Sequence, residues 1–339
     1  MRIVIVGFGT VGQGLAELLI EKNKILKEKY GLDITVVGIS DMLKGSLHET
    51  GGLDLQKALE KAKSGGKLSD LPGKFDGDAL SMIKSADADL MVEATYTDIK
   101  TGEPASSHIR AALEKGMHVT TTNKGPVALH SYELNDLAKS RGVKFLYEGT
   151  VISGTPLLNL IRETLAATRI TEIKGILNGT TNYILTRMEE GLSYDDALSK
   201  AQELGYAEAV PDADVLGWDA LAKVTILANT VFGAKNRPDD FPCEGITKIS
   251  ADDIAAAKKH GKRFKLIGKV QIDSGGVKAG VAPEKVELTH PLASIMGATN
   301  AVTITTDALG DVTVVGPGAG RKETGYSVLV DIIRIGGVR

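Results

Sequence analysis

The chain has one cysteine, Cys243, in 339 residues. No intrachain disulfide can form, which fits a reducing compartment. It also lacks any apolar run near the roughly 20 residues that cross a bilayer. The N-terminal MRIVIVGFG begins like a signal peptide, but its apolar run stops at Gly7 and leads into a glycine motif, so a first strand is the better reading. An excess of one charge is missing too: the net charge of −3 gives no electrostatic case for nucleic acid or an acidic membrane. The six histidines (His48, His108, His118, His130, His260, His290) are scattered and fit no triad or metal spacing. No internal repeat or low-complexity tract is seen. These absences predict a cytoplasmic protein with neither nucleic acid nor membrane as partner. The length suits two domains.

What is present begins at the first strand. Arg2 to Val6 is a β-branched run, followed at once by Gly7-Phe-Gly9-Thr10-Val11-Gly12 and an amphipathic helix through Leu15, Leu18, Leu19 and Ile25. A G-x-G-x-x-G run between strand and helix is the dinucleotide fingerprint in its required setting. Gly7 permits the tight turn, Gly9 lets the backbone approach a pyrophosphate, and Gly12 allows close helix–strand packing. The competing reading is a glycine turn that binds nothing. A second strand (34–39) ends at Ser40-Asp41, and an acid there commonly bonds the ribose 2′-hydroxyl of NAD. Lys44 is near, but no Arg follows to receive a 2′-phosphate, so the residues lean to NAD over NADP. Residues 44–77 read as a surface excursion around one helical segment.

Strand and helix then alternate. Strands at 89–94 and 117–121 end at Thr95 and at Thr122-Asn123-Lys124, the strand ends at which open α/β sheets bind ligands. Gly125-Pro126 halts the second of these strands and would fix Lys124 at the crevice, unless Lys124 is simply a solvated surface lysine. A helix is expected over 131–141. Asn178-Gly-Thr180-Thr181 opens another helix, where hydroxyls and free N–H groups suit a substrate carboxylate or merely cap the helix. Leu204 to Phe232 is the least ordinary stretch. A loop carrying Glu208, Asp212 and Asp214 leads into a helix (216–232) that is apolar on nearly every side. That helix has only two ionisable groups, Asp219 and Lys223, four apart and so on one face. Burying such a pair costs several kcal/mol per ion in order of magnitude unless it is well hydrogen-bonded, so the pair is either catalytic or a structural ion pair. Later strands alternate with turns and suggest a mixed sheet, and Gly316-Pro-Gly-Ala-Gly320 precedes a last helix.

Taken in order, GFGTVGQG, TTNKGP, YEGTVISGTP, LNGTTNYIL, LGYAEAVPDADVLGWDALAK and GPGAG resemble homoserine dehydrogenase from residue 2 to about 335. The resemblance implies reversible hydride transfer between L-homoserine with NAD or NADP and L-aspartate 4-semialdehyde, a step toward threonine and methionine. It places Lys223 and Lys124 next to the reacting oxygen, one of them as general acid/base, with Asp219 supporting Lys223. It implies that Glu208 binds the substrate amine, that Asp214 stands near the same site, and that Thr180 and Tyr206 touch substrate. Gly320 would touch cofactor. Glu148, Val151, Ser153 and Thr155 would form a monovalent cation site, such as one for Na+, although Ile152-Ser153 departs from the small residues common there.

Elementary chemistry agrees. Oxidising an alcohol removes its hydroxyl proton as hydride leaves carbon, and burial beside a second cation tunes a lysine for that task. A zwitterionic substrate also needs an acid for its ammonium and N–H donors for its carboxylate. Two competitors stand against this reading. A thioester-forming semialdehyde dehydrogenase needs a nucleophilic cysteine beside a base, and Cys243 in Phe-Pro-Cys-Glu has no local histidine. An NAD-binding redox sensor without turnover gives no reason for a buried Asp219–Lys223 pair. The expected fold is α/β: a Rossmann-type, doubly wound dinucleotide domain over 1–135, completed by 310–339, plus an α+β substrate and dimerisation domain over 136–309. A homodimer is expected.

Overall fold

The computed structural model describes residues 1–337 and divides into two compact units, Met1–Gly154 with Gly320–Arg339, and Thr155–Ala319. In the first unit the strands are β1 (Arg2–Val6), β2 (Thr35–Asp41), β3 (Gly45–His48), β4 (Lys74–Phe75), β5 (Leu90–Glu93), β6 (His118–Thr121) and β7 (Phe145–Leu146). Its helices are α1 (Thr10–Tyr30), α2 (Leu55–Lys63), α3 (Ala79–Ser85), α4 (Ala105–Glu114) and α5 (Lys124–Ser140). The sheet order is β4-β3-β2-β1-β5-β6-β7. β2, β1, β5, β6 and β7 run parallel, and β3 and β4 add antiparallel at one edge. The segment expected as a surface excursion therefore extends the sheet. Ile3, Ile5, Phe8, Leu15 and Leu19 form one core with Val328, Leu329 and Ile332 of the last helix, α11 (Arg321–Ile335). α1 and α11 approach closely because Gly14 and Gly325 face each other: a Cβ on either would collide with the other helix's backbone.

The second unit contains β8 (Ile170–Ile176), α6 (Gly179–Glu189), α7 (Tyr194–Glu203), α8 (Asp212–Val215), α9 (Trp218–Val231) and α10 (Ala251–Lys259), then β9 (Lys262–Asp273), β10 (Gly276–Glu287), β11 (Thr299–Thr306) and β12 (Gly310–Pro317). Its sheet runs β10-β9-β8-β11-β12. The mixed pairing belongs to the first unit's sheet; here every neighbouring pair is antiparallel. For two of the pairs the reason is local: β9–β10 and β11–β12 are hairpins, and a short turn can join only antiparallel strands. The unit boundaries also differ from those expected. A cut at 135 would pass through α5, and one at 310 would strip β12 from its partner β11. α9 packs on β9 and β10, and Gly268 of β9 admits Val224 and Leu177 where any Cβ would clash.

Candidate active site

The first unit presents a glycine turn shaped for a phosphate. Gly7 has φ of +94°, which favours glycine, and a Cβ there would collide with the Ala94 carbonyl. A Cβ on Gly12 would collide with the Gly7 carbonyl, whereas Gly9 has open space above it. α1, whose first turn holds Thr10 and Val11, has no side-chain cap and no acid in that turn. Its free N–H groups and positive dipole end are left for an anion. These features fit a dinucleotide pyrophosphate. Asp41 ends β2, but its carboxylate is largely engaged: Oδ2 accepts from Phe8 N at 2.8 Å, and Oδ1 from Leu43 N at 3.0 Å and Lys44 N at 2.9 Å. It ties the end of β2 to the glycine turn. Gly320 is the uncapped residue before α11, with φ of +136°.

Thr95 and Lys124 lie beyond the ends of β5 and β6, as expected. Lys124, however, is the first residue of α5, not the end of a halted strand, and the helix starts seven residues before the expected Ser131. Asn123 caps it, its Oδ1 accepting from Gly125 N at 3.1 Å. Pro126 is tolerated because first-turn N–H groups have no partner within the helix.

Of the expected cation set, Glu148, Val151 and Ser153 lie buried in the turn after β7, where Ser153 takes a left-handed φ of 55°. Thr155 belongs to the second unit, its Oγ1 donating to the Pro317 carbonyl at 2.9 Å. Asp331 of α11, which the sequence reading passed over, accepts at Oδ2 from Glu148 N at 3.1 Å and Thr120 Oγ1 at 2.9 Å. Its Oδ1 is buried without a hydrogen bond among the described residues. Burial, reinforced by the Glu148 charge, pushes its carboxyl up to about 7. A buried acid with an orphaned oxygen is a setting a small cation fits.

In the second unit α9 begins after Gly217, and Ala220 to Ala228 are buried on every side. Lys223 is only 7% exposed. Its Nζ donates to Asp219 Oδ2 at 2.7 Å and to the Leu177 carbonyl, just beyond β8, at 2.6 Å. Asn178, the cap of α6, reaches both acids: Nδ2 donates to Asp214 Oδ1 at 2.6 Å and Asp219 Oδ2 at 3.0 Å. Burial, then the neighbouring Asp219 charge, raises the Asp214 carboxyl above the usual range. Asn178 also accepts from Thr181 N at 2.9 Å, so it is Asn178 that caps the helix and not the threonines. Thr180 Oγ1 donates to the Tyr206 carbonyl at 2.7 Å, and the Tyr206 ring lies 5.0 Å from that of Tyr183. Lys223, Asp219, Asp214, Thr180 and Tyr206 are thus brought together through Asn178 and the start of α6. Glu208 is exposed on the loop, where its carbonyl accepts from Gln202 Nε2 at 3.0 Å.

Cys243 donates to the Leu216 carbonyl at 3.4 Å, and burial pushes its thiol up, away from thiolate. That disfavours thioester chemistry. Among the described residues no group of three His, Cys, Asp or Glu side chains could hold a metal, and no helix is long and apolar enough to cross a membrane.

A phosphate-ready glycine turn after a strand of the parallel part of the sheet, in one chain with a buried lysine held by a carboxylate, fits the class of nicotinamide-dependent oxidoreductases. Comparison with known proteins narrows the class. The family model for the homoserine dehydrogenase NAD-binding domain matches residues 7–148, and that for homoserine dehydrogenase matches residues 156–333. The chain is 48% identical to an NAD(+)-dependent homoserine dehydrogenase of Pseudomonas canavaninivorans, over 98% of this chain and 96% of that one. It is 43% identical to a homoserine dehydrogenase of Methanocaldococcus jannaschii, over 99% and 98%. A hyperthermophilic archaeal homoserine dehydrogenase solved in complex with NADPH matches with a TM-score of 0.84 at 32% identity, covering 98% of this chain and 97% of that one. The chain belongs to the homoserine dehydrogenases, NAD(P)-dependent oxidoreductases of amino-acid biosynthesis that interconvert L-homoserine and L-aspartate 4-semialdehyde. A sensor without turnover is not favoured.

Proposed function

We propose that Lys223 is the proton-transfer group of this reaction. The observation that carries the reading is the occupancy around its Nζ: one position is taken by Asp219, one by the Leu177 carbonyl, and the third is left for the substrate oxygen. In homoserine oxidation Lys223 takes the hydroxyl proton, and a nicotinamide held by the glycine turn would supply the hydride acceptor. Asp219 stabilises the ammonium that forms, and Asn178 holds Asp219 in place. In the reverse direction the ammonium returns the proton to the aldehyde oxygen. Glu208 is assigned to the substrate ammonium, and the first N–H groups of α6, beside Thr180, to its carboxylate. Asp214 and Tyr206 frame the same ground. Measuring homoserine oxidation by purified Lys223→Ala tests this. A kcat loss of about 10²-fold or more with cofactor affinity retained is expected, and a rate near wild type would refute it.

On the cofactor side the reading takes Gly7, Gly9, Thr10, Val11 and Gly12 for the pyrophosphate, with Asp41, Thr95, Lys124 and Gly320 also at the cofactor. Lys124 is assigned to the reacting end by its place at the start of α5. NAD is the preferred form, supported by the name of the Pseudomonas relative. Glu148, Val151 and Ser153, with Thr155, are the candidates to hold a monovalent cation, supported by the orphaned Asp331 oxygen beside Glu148. The working form is proposed as a cytoplasmic homodimer, supported by Ile272 and Val315, which stand exposed on strands of the five-stranded sheet. Sedimentation showing only monomer at micromolar concentration would count against the dimer.

A further inference from the structure

β5 reads Leu90-Met91-Val92-Glu93 and is buried along its whole length, so it ends in an acid with 0% exposure. An apolar side chain would be the inexpensive choice there, because a buried carboxylate must be compensated by hydrogen bonds. Glu93 is compensated by neutral donors that all come from ligand-facing strand ends. Its Oε1 accepts from Thr95 N at 3.1 Å and from the Thr95 hydroxyl, and its Oε2 accepts from Thr121 Oγ1 at 3.1 Å. His108 Nδ1 lies 3.9 Å away. From Thr121 the chain of contacts continues: Thr121 Oγ1 accepts from Asn123 N at 3.0 Å, and Asn123 caps the helix whose first residue is Lys124. Asn123 Nδ2 then crosses back to the first loop, donating to the Tyr96 carbonyl at 2.8 Å and the Thr95 carbonyl at 3.4 Å. Glu93, Thr95, Asn123 and Thr121 therefore close a ring. The Thr95 hydroxyl donates to the carboxylate, and the Thr121 hydroxyl shares its proton between Oε2 and the Glu93 main-chain carbonyl at 3.0 Å, so both ends of Glu93 hold the strand end that leads to Asn123.

We propose that Glu93 is a positioning residue for the dehydrogenase reaction. Through Thr95, Thr121 and Asn123 it fixes the loops after β5 and β6, and with them the start of α5 that presents Lys124. The inference rests on the assignment of Lys124 to the reacting end. Placement errors of about 1 Å near the chemistry can cost about a hundredfold in rate, so a ring of this kind is worth the buried charge. Glu93→Gln keeps shape but replaces one acceptor oxygen with a donor, which opposes either the Thr95 N–H and hydroxyl or the Thr121 hydroxyl.

The test is steady-state kinetics on the full-length holoenzyme with Glu93→Gln, Thr121→Val, Thr121→Ser, the Glu93→Gln/Thr121→Val double variant and Lys124→Ala. Glu93→Gln and Thr121→Val are expected to lower kcat by about tenfold to a hundredfold, with KM for homoserine within about threefold. Thr121→Ser, which restores the hydroxyl, should return kcat to within about threefold of wild type. The double variant should be no worse than the poorer single one, because both act through one chain of contacts. The proposal is overturned if Glu93→Gln and Thr121→Val turn over within about twofold of wild type, or if Thr121→Ser is as slow as Thr121→Val. If Glu93→Gln does not fold, the two Thr121 variants decide alone. An impaired Lys124→Ala beside an unaffected Glu93→Gln removes only this inference. A fully active Lys124→Ala removes the assignment of Lys124 itself.

Discussion

Two lysines are buried in the second unit, and they are not alike. Lys265, on β9, is 1% exposed; its Nζ donates to Asn182 Oδ1 at 2.9 Å and to the Ile295 carbonyl, with Met296 Sδ at 3.7 Å. All its directions are filled, none by a carboxylate. Burial, with Arg263 nearby, lowers it to about 8. Lys223 instead carries a carboxylate at 2.7 Å and, among the described residues, has two hydrogen-bond partners rather than three. A lowered lysine is the usual signature of a general base, and on that ground alone Lys265 would be chosen. The proposal for Lys223 rests on geometry instead. A base must be able to reach the proton it takes, and Lys265 is enclosed by its own partners. It clamps β9 to α6 and to the segment before β11, whereas Lys223 is the buried lysine paired with a carboxylate.

The contrast breaks most visibly in turnover. Lys223→Met is expected to lower kcat by about 10²- to 10⁴-fold, seen as loss of NAD(P)H formation from homoserine. Asp219→Asn should cost less, about tenfold to a hundredfold, because the lysine remains but loses the charge that stabilises its ammonium, a neutral amide oxygen being the weaker acceptor. The pH–rate profile of that variant shows whether Asp219 acts through the proton step. Lys265→Met should leave kcat within about threefold while lowering the melting temperature, since Asn182 Oδ1 loses its donor at a cost of about 1–3 kcal/mol.

The pH dependence of stability sharpens the same contrast. Lys265 sits at about 8 in the folded chain against the ordinary 10.5. Between those values the unfolded chain binds more protons than the folded one, so the contribution of Lys265 to stability rises with pH. It is complete above 10.5 and is lost as pH falls through about 8. Denaturant titrations of wild type and Lys265→Met from pH 7.5 to 10.5 should show wild type gaining relative to the variant across that interval. Parallel curves would contradict the assigned burial cost.

The sequence made Lys223 legible because an acid and a base four apart stand out in a helix otherwise apolar all round. It left Lys265 unnoticed, since a single lysine in a long strand is ordinarily a solvent-facing residue, and nothing local reveals that Asn182 and Ile295 close over it. Glu93 gave a faint signal, an acid ending the apolar run Leu-Met-Val; Asp331, among Val328, Leu329 and Ile332, gave another. Asn178 was read as part of a helix start, but its hold on two carboxylates comes from α8 and α9, about forty residues away. The first strand, its glycine turn and the alternation through β6 were readable because each depends on neighbours in sequence. Start of α5 was misplaced because Gly125-Pro126 reads as a stop, although proline is well suited to a first helical turn. The antiparallel pairing of the second sheet depends on which hairpins close, and alternation alone does not say.

The central claim is that Lys223, and not the other buried lysine, moves the proton. It is tested most directly by homoserine oxidation in Lys223→Ala with and without added primary alkylamines, Lys265→Met being run alongside. The account predicts a rate at least about 10²-fold below wild type for Lys223→Ala, partial recovery that grows with the basicity of the amine, and near-normal turnover in Lys265→Met. Near-wild-type oxidation by Lys223→Ala without amine would contradict it.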